Sequence, residues 1–119
     1  MKLAVTAKEN SLDSEIDPRF GRAAYIIVID SDSMDYEIIN NSENLNALKG
    51  AGIQTAASIS EKKAEVLFTG FCGPNAFKTL NAAGIKVVNE VTGTVRDAVK
   101  VFKEGKFSFS DNANVEGHW

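Results

Sequence analysis

The chain has few of the residue types that mark particular classes of protein. Among its 119 residues there are one cysteine, one histidine, one tryptophan and two prolines. One cysteine forms no internal disulfide and cannot by itself build a structural zinc site. Two prolines and a hydrophobic content of 44% exclude a largely disordered chain. The length suits a single domain over residues 1–119.

Long apolar runs and an excess of positive charge are also missing. No run of about 18 apolar residues occurs, so we expect no membrane span. The N-terminal segment turns polar at Lys8, too early for a signal peptide, and we expect a cytoplasmic protein. Thirteen basic and sixteen acidic residues leave a net charge of −3. Because binding to a phosphate backbone requires a basic surface, we expect no nucleic-acid partner.

The apolar pattern changes its period along the chain, which indicates an α/β domain. Short β-branched runs predict an antiparallel meander of three strands in the first forty residues. Helical spacing then alternates with short apolar runs, so the predicted order is β-β-β-α-β-α-β-α in a mixed sheet of about five strands. Pro74 begins the second helix, and Thr94 caps the third, which ends near Gly105. The tail over 107–119 either extends or docks on the sheet.

Three loops should meet at the carboxyl ends of the parallel strands, where α/β sheets bind ligands. The loop over 70–75 carries Gly70, Cys72, Gly73 and Asn75 directly before a helix. The N–H groups and dipole of a helix start favour an anion, and the same field would lower the pKa of Cys72 and promote its thiolate. Alternatively, the glycines form a tight turn and Cys72 is a small buried apolar residue. The third loop spans 89–94.

The first loop is the long connection over 7–22 after the first strand, and it places two arginines on either side of Phe20. Arg19 and Arg22 could clamp an anionic ligand, since guanidinium groups keep their charge and donate several hydrogen bonds. The alternative is that both are solvated surface charges and Phe20 plugs the core. His118, near the C-terminus, is either a loose surface residue or, if the tail docks, a soft nitrogen ligand.

Two of these segments resemble the motifs of one family. The segment Asp17-Pro18-Arg19-Phe20-Gly21-Arg22 resembles the H-F-G entry of the dinitrogenase iron–molybdenum cofactor biosynthesis family, which includes NifX, NafY, the C-terminal domain of NifB and the orange proteins. The segment over 70–77 resembles its G-x-x-G-P-N-A-F loop and helix start, and 84–106 resembles its closing strand and helix. The resemblance extends over nearly the whole chain.

The resemblance implies a ribonuclease H-like, three-layer fold and a non-catalytic role. It implies a protein that binds or carries an anionic metal–sulfur cluster, such as an iron–molybdenum cofactor precursor or another molybdenum-containing cluster. Its partners would be donor or acceptor proteins for that cluster, and we expect a monomer or a weak dimer. A module that binds a small anion or nucleotide, and a protein-interaction domain, both without metal, stay open as alternatives.

The resemblance also implies which residues form the site. It assigns cluster binding to residues of the first two loops: Arg19, Phe20, Gly21, Gly70, Cys72, Gly73 and Asn75. Arg19 stands where cluster-binding members carry a histidine, and a guanidinium group cannot ligate a metal. Cys72 and His118 are therefore the implied metal ligands.

Overall fold

The computed structural model describes residues 1–41 and 51–110, and the predicted element order is confirmed. The strands and helices are β1 (Lys2–Ala7), β2 (Tyr25–Asp30), β3 (Tyr36–Asn40), α1 (Ala51–Glu61), β4 (Val66–Phe68), α2 (Pro74–Ala82), β5 (Lys86–Val88) and α3 (Val95–Glu104). A short 3-10 turn, Phe20–Arg22, lies between β1 and β2. None of the helices in the described ranges is long and apolar enough to cross a membrane.

The five strands form one mixed sheet in the order β3-β2-β1-β4-β5. β2 pairs antiparallel with both β1 and β3, which is the predicted meander. β1, β4 and β5 run parallel, as expected for strands joined through helices. The carboxyl ends of these three strands therefore lie at one edge of the sheet, and the three predicted loops start there.

Alternating side chains of the central strands supply a separate core on each face of the sheet. On one face, Ile26 and Val28 pack in the core that α1 and α2 cover. On the other face, Ile27 and Ile29 pack in the core that contains the apolar side of α3. The result is the three-layer, ribonuclease H-like arrangement that the resemblance implies.

Local sequence signals fix both ends of α3. The Thr94 hydroxyl accepts a hydrogen bond from the Asp97 N–H at 3.2 Å, and the Asp97 carboxylate accepts one from the Thr94 N–H at 2.9 Å. This capping box satisfies N–H groups that the first helical turn leaves without partners, and its hydrogen bonds lower the pKa of Asp97. Gly105 ends the helix in a left-handed conformation, with φ of 69°, which suits a residue without Cβ.

The described part of the tail docks against the sheet. The Phe107 ring lies 5.7 Å from the Phe68 ring and 5.6 Å from the Phe102 ring, between centroids. The Ser110 N–H then donates to the Val87 carbonyl at 2.7 Å, beside β5. The tail therefore packs on the sheet and α3 as far as Ser110, whereas the two predictions for the whole tail over 107–119 stay predictions. His118 lies outside the described residues.

Candidate functional site

Hydrogen bonds join the three predicted loops at the carboxyl edge of the sheet. The Thr6 hydroxyl, at the end of β1, donates to the Asp17 carbonyl at 2.6 Å. That bond uses the only hydroxyl proton of Thr6, so Thr69 donates in the 2.9 Å contact between the two hydroxyls. The Val91 N–H donates to the Thr69 carbonyl at 3.0 Å, which ties the third loop to the second. The three loops thus form one connected surface.

The first and second loops also pair through their backbones. The Phe71 N–H donates to the Pro18 carbonyl at 2.6 Å, and the Phe20 N–H donates to the Phe71 carbonyl at 3.1 Å. These two bonds make Arg19 and Phe71 partners in a short parallel bridge, which we call the Arg19–Phe71 bridge. A Cβ on Gly70 would lie 2.6 Å from the Pro18 Cα, so the loops approach this closely only because residue 70 is glycine.

Successive side chains at this bridge point to opposite sides, as they do in any extended pair. Arg19 and Phe71 lie on the outer side, where the Arg19 side chain is 49% exposed and Phe71 is 40% exposed. Phe20 and Cys72 follow them in sequence and point inward, where both are fully buried in the core under α1 and α2. Each loop therefore presents one residue to solvent and the next to the core.

Cys72 is consequently a core residue, and its expected low pKa is wrong. Burial raises the pKa of the Cys72 thiol to about 12, because a thiolate in this apolar environment would lose its hydration. The loss of solvent outweighs the field of the helix that begins two residues later. Its thiol lies 3.7 Å from the Gly73 carbonyl, as a weak donor. The alternative interpretation of Cys72, as a small buried apolar residue, matches its position. The alternative interpretation of Phe20, as a residue that plugs the core, matches its position as well.

A buried carboxylate anchors Arg19 on the outer side. Asp17 is 3% exposed, and its Oδ1 accepts from the Arg19 backbone N–H at 3.0 Å and lies 3.4 Å from the Arg19 Nε. Asp17 faces one N–H of the Arg19 guanidinium. No described residue accepts a hydrogen bond from the two Nη atoms of Arg19. Those atoms remain available to an anion in solution. The other predicted arginine, Arg22, is half-buried in the 3-10 turn.

The start of α2 adds further donors next to the bridge. Gly73 is the N-cap and provides no side-chain cap, and Pro74 at the first helical position has no N–H. The first backbone bond runs from the Phe77 N–H to the Gly73 carbonyl at 2.9 Å. The N–H groups of Asn75 and Ala76 therefore have no acceptor within the helix, and the positive end of the helix dipole lies there. The Asn75 side chain is exposed.

The third loop contributes a negative group. The Glu90 N–H donates to the Gly70 carbonyl at 2.8 Å, its backbone has a positive φ of 61°, and its side chain is exposed.

Phe71 and Asp17 form part of the candidate site, although the sequence analysis assigned a role to neither. For Phe71, the signal is the extended segment Gly70-Phe71-Cys72, in which successive side chains point to opposite sides. For Asp17, the signal is its position two residues before Arg19.

Side chains that ligate metals do not cluster in the described part of the chain. Residues 1–41 and 51–110 contain no group of three or more histidine, cysteine, aspartate or glutamate side chains that could hold a metal ion. The donors at the bridge are a guanidinium and backbone N–H groups, which bind anions by charge and hydrogen bonding. The residues present therefore fit an anion held without metal–protein bonds.

Comparisons with known proteins agree on one family. The family model described as "dinitrogenase iron-molybdenum cofactor" matches residues 1–105. The apo form of the orange protein from Desulfovibrio gigas is 42% identical, with 96% of each chain covered and a TM-score of 0.93. A candidate NifB protein from Thermotoga is 34% identical, with 98% of each chain covered and a TM-score of 0.83. An uncharacterised protein of Methanocaldococcus jannaschii is 28% identical over 89% of this chain and 88% of its own length.

Proposed function

This chain belongs to the dinitrogenase iron–molybdenum cofactor family, and from that premise we propose that it is a non-catalytic carrier of an anionic metal–sulfur cluster. The observation that supports the proposal is the outward side of the Arg19–Phe71 bridge, next to the start of α2. The cluster is cargo, received from one protein of cofactor biosynthesis and passed to another.

The chemistry of the bridge suits a cargo that must be released. Arg19 supplies a fixed positive charge and weakly hydrated donors, oriented by the buried Asp17 carboxylate. The N–H groups of Asn75 and Ala76 supply partial positive charge from a second direction. Charge and hydrogen bonds form and break without ligand exchange at a metal, so they permit transfer to an acceptor protein.

The other proposed site residues shape this surface from behind. Phe20 and Gly21 are buried residues of the first loop, and Gly70 and Gly73 let the second loop approach the first and start α2. Direct metal bonds from Cys72 and His118 stay a prediction. For Cys72, such a bond requires the thiol to leave the core and lose its proton, and both steps oppose binding.

An anaerobic titration with tetrathiomolybdate tests the proposal. After gel filtration, visible absorption and molybdenum analysis report how much of the anion stays with the protein. We expect retention by the wild type and loss in Arg19→Ala, because this variant removes the guanidinium. The matched control is Arg96→Ala, since Arg96 is also half exposed and bound to a carboxylate, with its Nε 2.7 Å from Asp13 Oδ1.

Three outcomes separate the possibilities. Equal loss in Arg19→Ala and Arg96→Ala would reduce the effect to net charge and contradict the proposed site. Loss in a folded Cys72→Ala variant, with Arg19→Ala unaffected, would assign the binding to the thiol instead. No retention of colour or molybdenum by the wild type would contradict the carrier function.

A further inference from the structure

We propose that Phe71 makes this site selective for anions with a sulfide surface over anions of the same charge and shape with an oxide surface. The inference rests on the proposed function and goes beyond it, because charge alone does not distinguish the two kinds of anion. Its starting observation is an aromatic ring that is 40% exposed, directly beside the exposed arginine.

The backbone holds Phe71 firmly in this exposed position. Its N–H and its carbonyl are both used in the bridge, at 2.6 Å and 3.1 Å. Gly70 packs against Pro18 on one side, and the buried Cys72 follows on the other. The ring cannot turn into the core without breaking these contacts. Bridge partners lie about 4.8 Å apart and project to the same side, so an anion on the Arg19 guanidinium meets the ring.

An oxide surface is a poor match for this environment. Oxyanions such as molybdate hold their water through strong hydrogen bonds, and an apolar ring displaces that water without replacing the bonds. The exposed Pro18 beside the ring offers no hydrogen-bond donor either. An oxyanion therefore loses in dehydration part of what it gains from the charge of Arg19.

A sulfide surface is a good match for the same environment. Sulfur is large and polarizable, makes weaker hydrogen bonds to water and packs favourably at the positive edge of an aromatic ring. The guanidinium is itself weakly hydrated, so the pair of Arg19 and Phe71 combines charge with easily removed water. Glu90 disfavours every anion, whether sulfide or oxide, so its charge does not account for selectivity.

Anaerobic calorimetry with two tetrahedral dianions, tetrathiomolybdate and molybdate, measures this selectivity. We expect the wild type to prefer tetrathiomolybdate, and Phe71→Ala to lose about tenfold in affinity for tetrathiomolybdate while its affinity for molybdate rises or stays equal. Phe71→Leu keeps an apolar side chain and should retain most of the preference. Tyr36→Ala is the control, because Tyr36 is 47% exposed but begins β3 level with the amino end of β1, at the opposite edge of the sheet from the bridge.

The outcomes distinguish this inference from the proposed function. If the wild type binds tetrathiomolybdate but Phe71→Ala changes both affinities equally, or neither, the selectivity role of Phe71 is wrong and the carrier function stands. If Tyr36→Ala matches Phe71→Ala, the effect is not local to the site and the inference is also wrong. If the wild type does not bind tetrathiomolybdate, the proposed function fails, and the inference fails with it.

Discussion

The two sides of the Arg19–Phe71 bridge differ in almost every property, although they are one residue apart in sequence. On the outer side, Arg19 and Phe71 are half exposed and meet solvent. On the inner side, Phe20 and Cys72 are fully buried in the core under α1 and α2. The comparison shows that a short extended pair places one residue of each loop in solvent and the next in the core.

The same comparison changes which residue of the second loop matters for binding. Cys72 is the chemically reactive type, and a motif draws attention to it, yet its side chain lies in the core with a raised pKa. Its neighbour Phe71 has no reactive group but lies on the surface where a ligand arrives. Exposure, rather than reactivity of the free amino acid, decides which of the two a ligand meets first.

The largest expected difference between the two sides is in stability. Phe20→Ala removes a fully buried ring and should lower the free energy of unfolding by about 3–5 kcal/mol. Phe71→Ala removes a ring that is already 40% exposed and should cost less than about 1 kcal/mol. Urea unfolding followed by circular dichroism measures both. Similar losses in the two variants would show that the bridge does not divide its residues in this way.

A second substitution should separate the two loops that form the bridge. Gly70→Ala places a Cβ against the backbone of Pro18, and we expect a loss of about 2–3 kcal/mol together with weaker anion binding. Gly84→Ala is the control, because that site has a positive φ of 79° but no atom within 4 Å of the new Cβ. Strain alone should cost it about 1 kcal/mol and leave binding unchanged. Equal effects on binding would remove the role assigned to the close approach.

The inner side should also respond to alkaline pH. The folded-state pKa of Cys72 is about 12, whereas an exposed thiol titrates near 9.0, so between these values the unfolded chain loses a proton that the folded chain keeps. Stability should therefore be unaffected by this group below pH 9 and fall as the pH rises toward 12. At neutral pH, Cys72→Ala should cost about 1 kcal/mol.

The difference between the wild-type and Cys72→Ala unfolding curves isolates the contribution of this thiol from those of all other groups. A parallel measurement is the rate of reaction with a disulfide reagent at pH 8, which should be slow in the folded protein and fast in urea. A fast reaction of the folded protein, or pH profiles that coincide, would contradict the buried position of Cys72.

The smallest expected effect on stability belongs to Arg19. Its ion pair with Asp17 is half exposed and 3.4 Å long, and Asp17 keeps the hydrogen bond from the backbone N–H when the side chain is removed. Arg19→Ala should therefore change the free energy of unfolding by about 0.5 kcal/mol or less. Thermal unfolding of both proteins measures this. A large loss would make Arg19 a structural residue and weaken its assignment to binding.

Much of the fold was predictable because its signals are local. Four signals act within a few residues of the chain: the β-branched run of β2, the short apolar run of β4, Pro74 at the start of α2 and Thr94 as the cap of α3. The parallel direction of the α-linked strands followed as well, since short crossovers place such strands in parallel. The gathering of the three loops at one edge then followed from the topology alone.

The sequence by itself determined the order of strands and helices, the capping of α3 and the presence of Arg19 and Cys72 in loops at one edge of the sheet. Only the tertiary structure decided that Arg19 and Phe71 face solvent while Phe20 and Cys72 face the core. The reason is that a period-two alternation has two possible phases, and a shift by one residue exchanges them. Here the phase is set by hydrogen bonds from Phe71 to Pro18 and from Phe20 to Phe71, between loops that are distant in sequence.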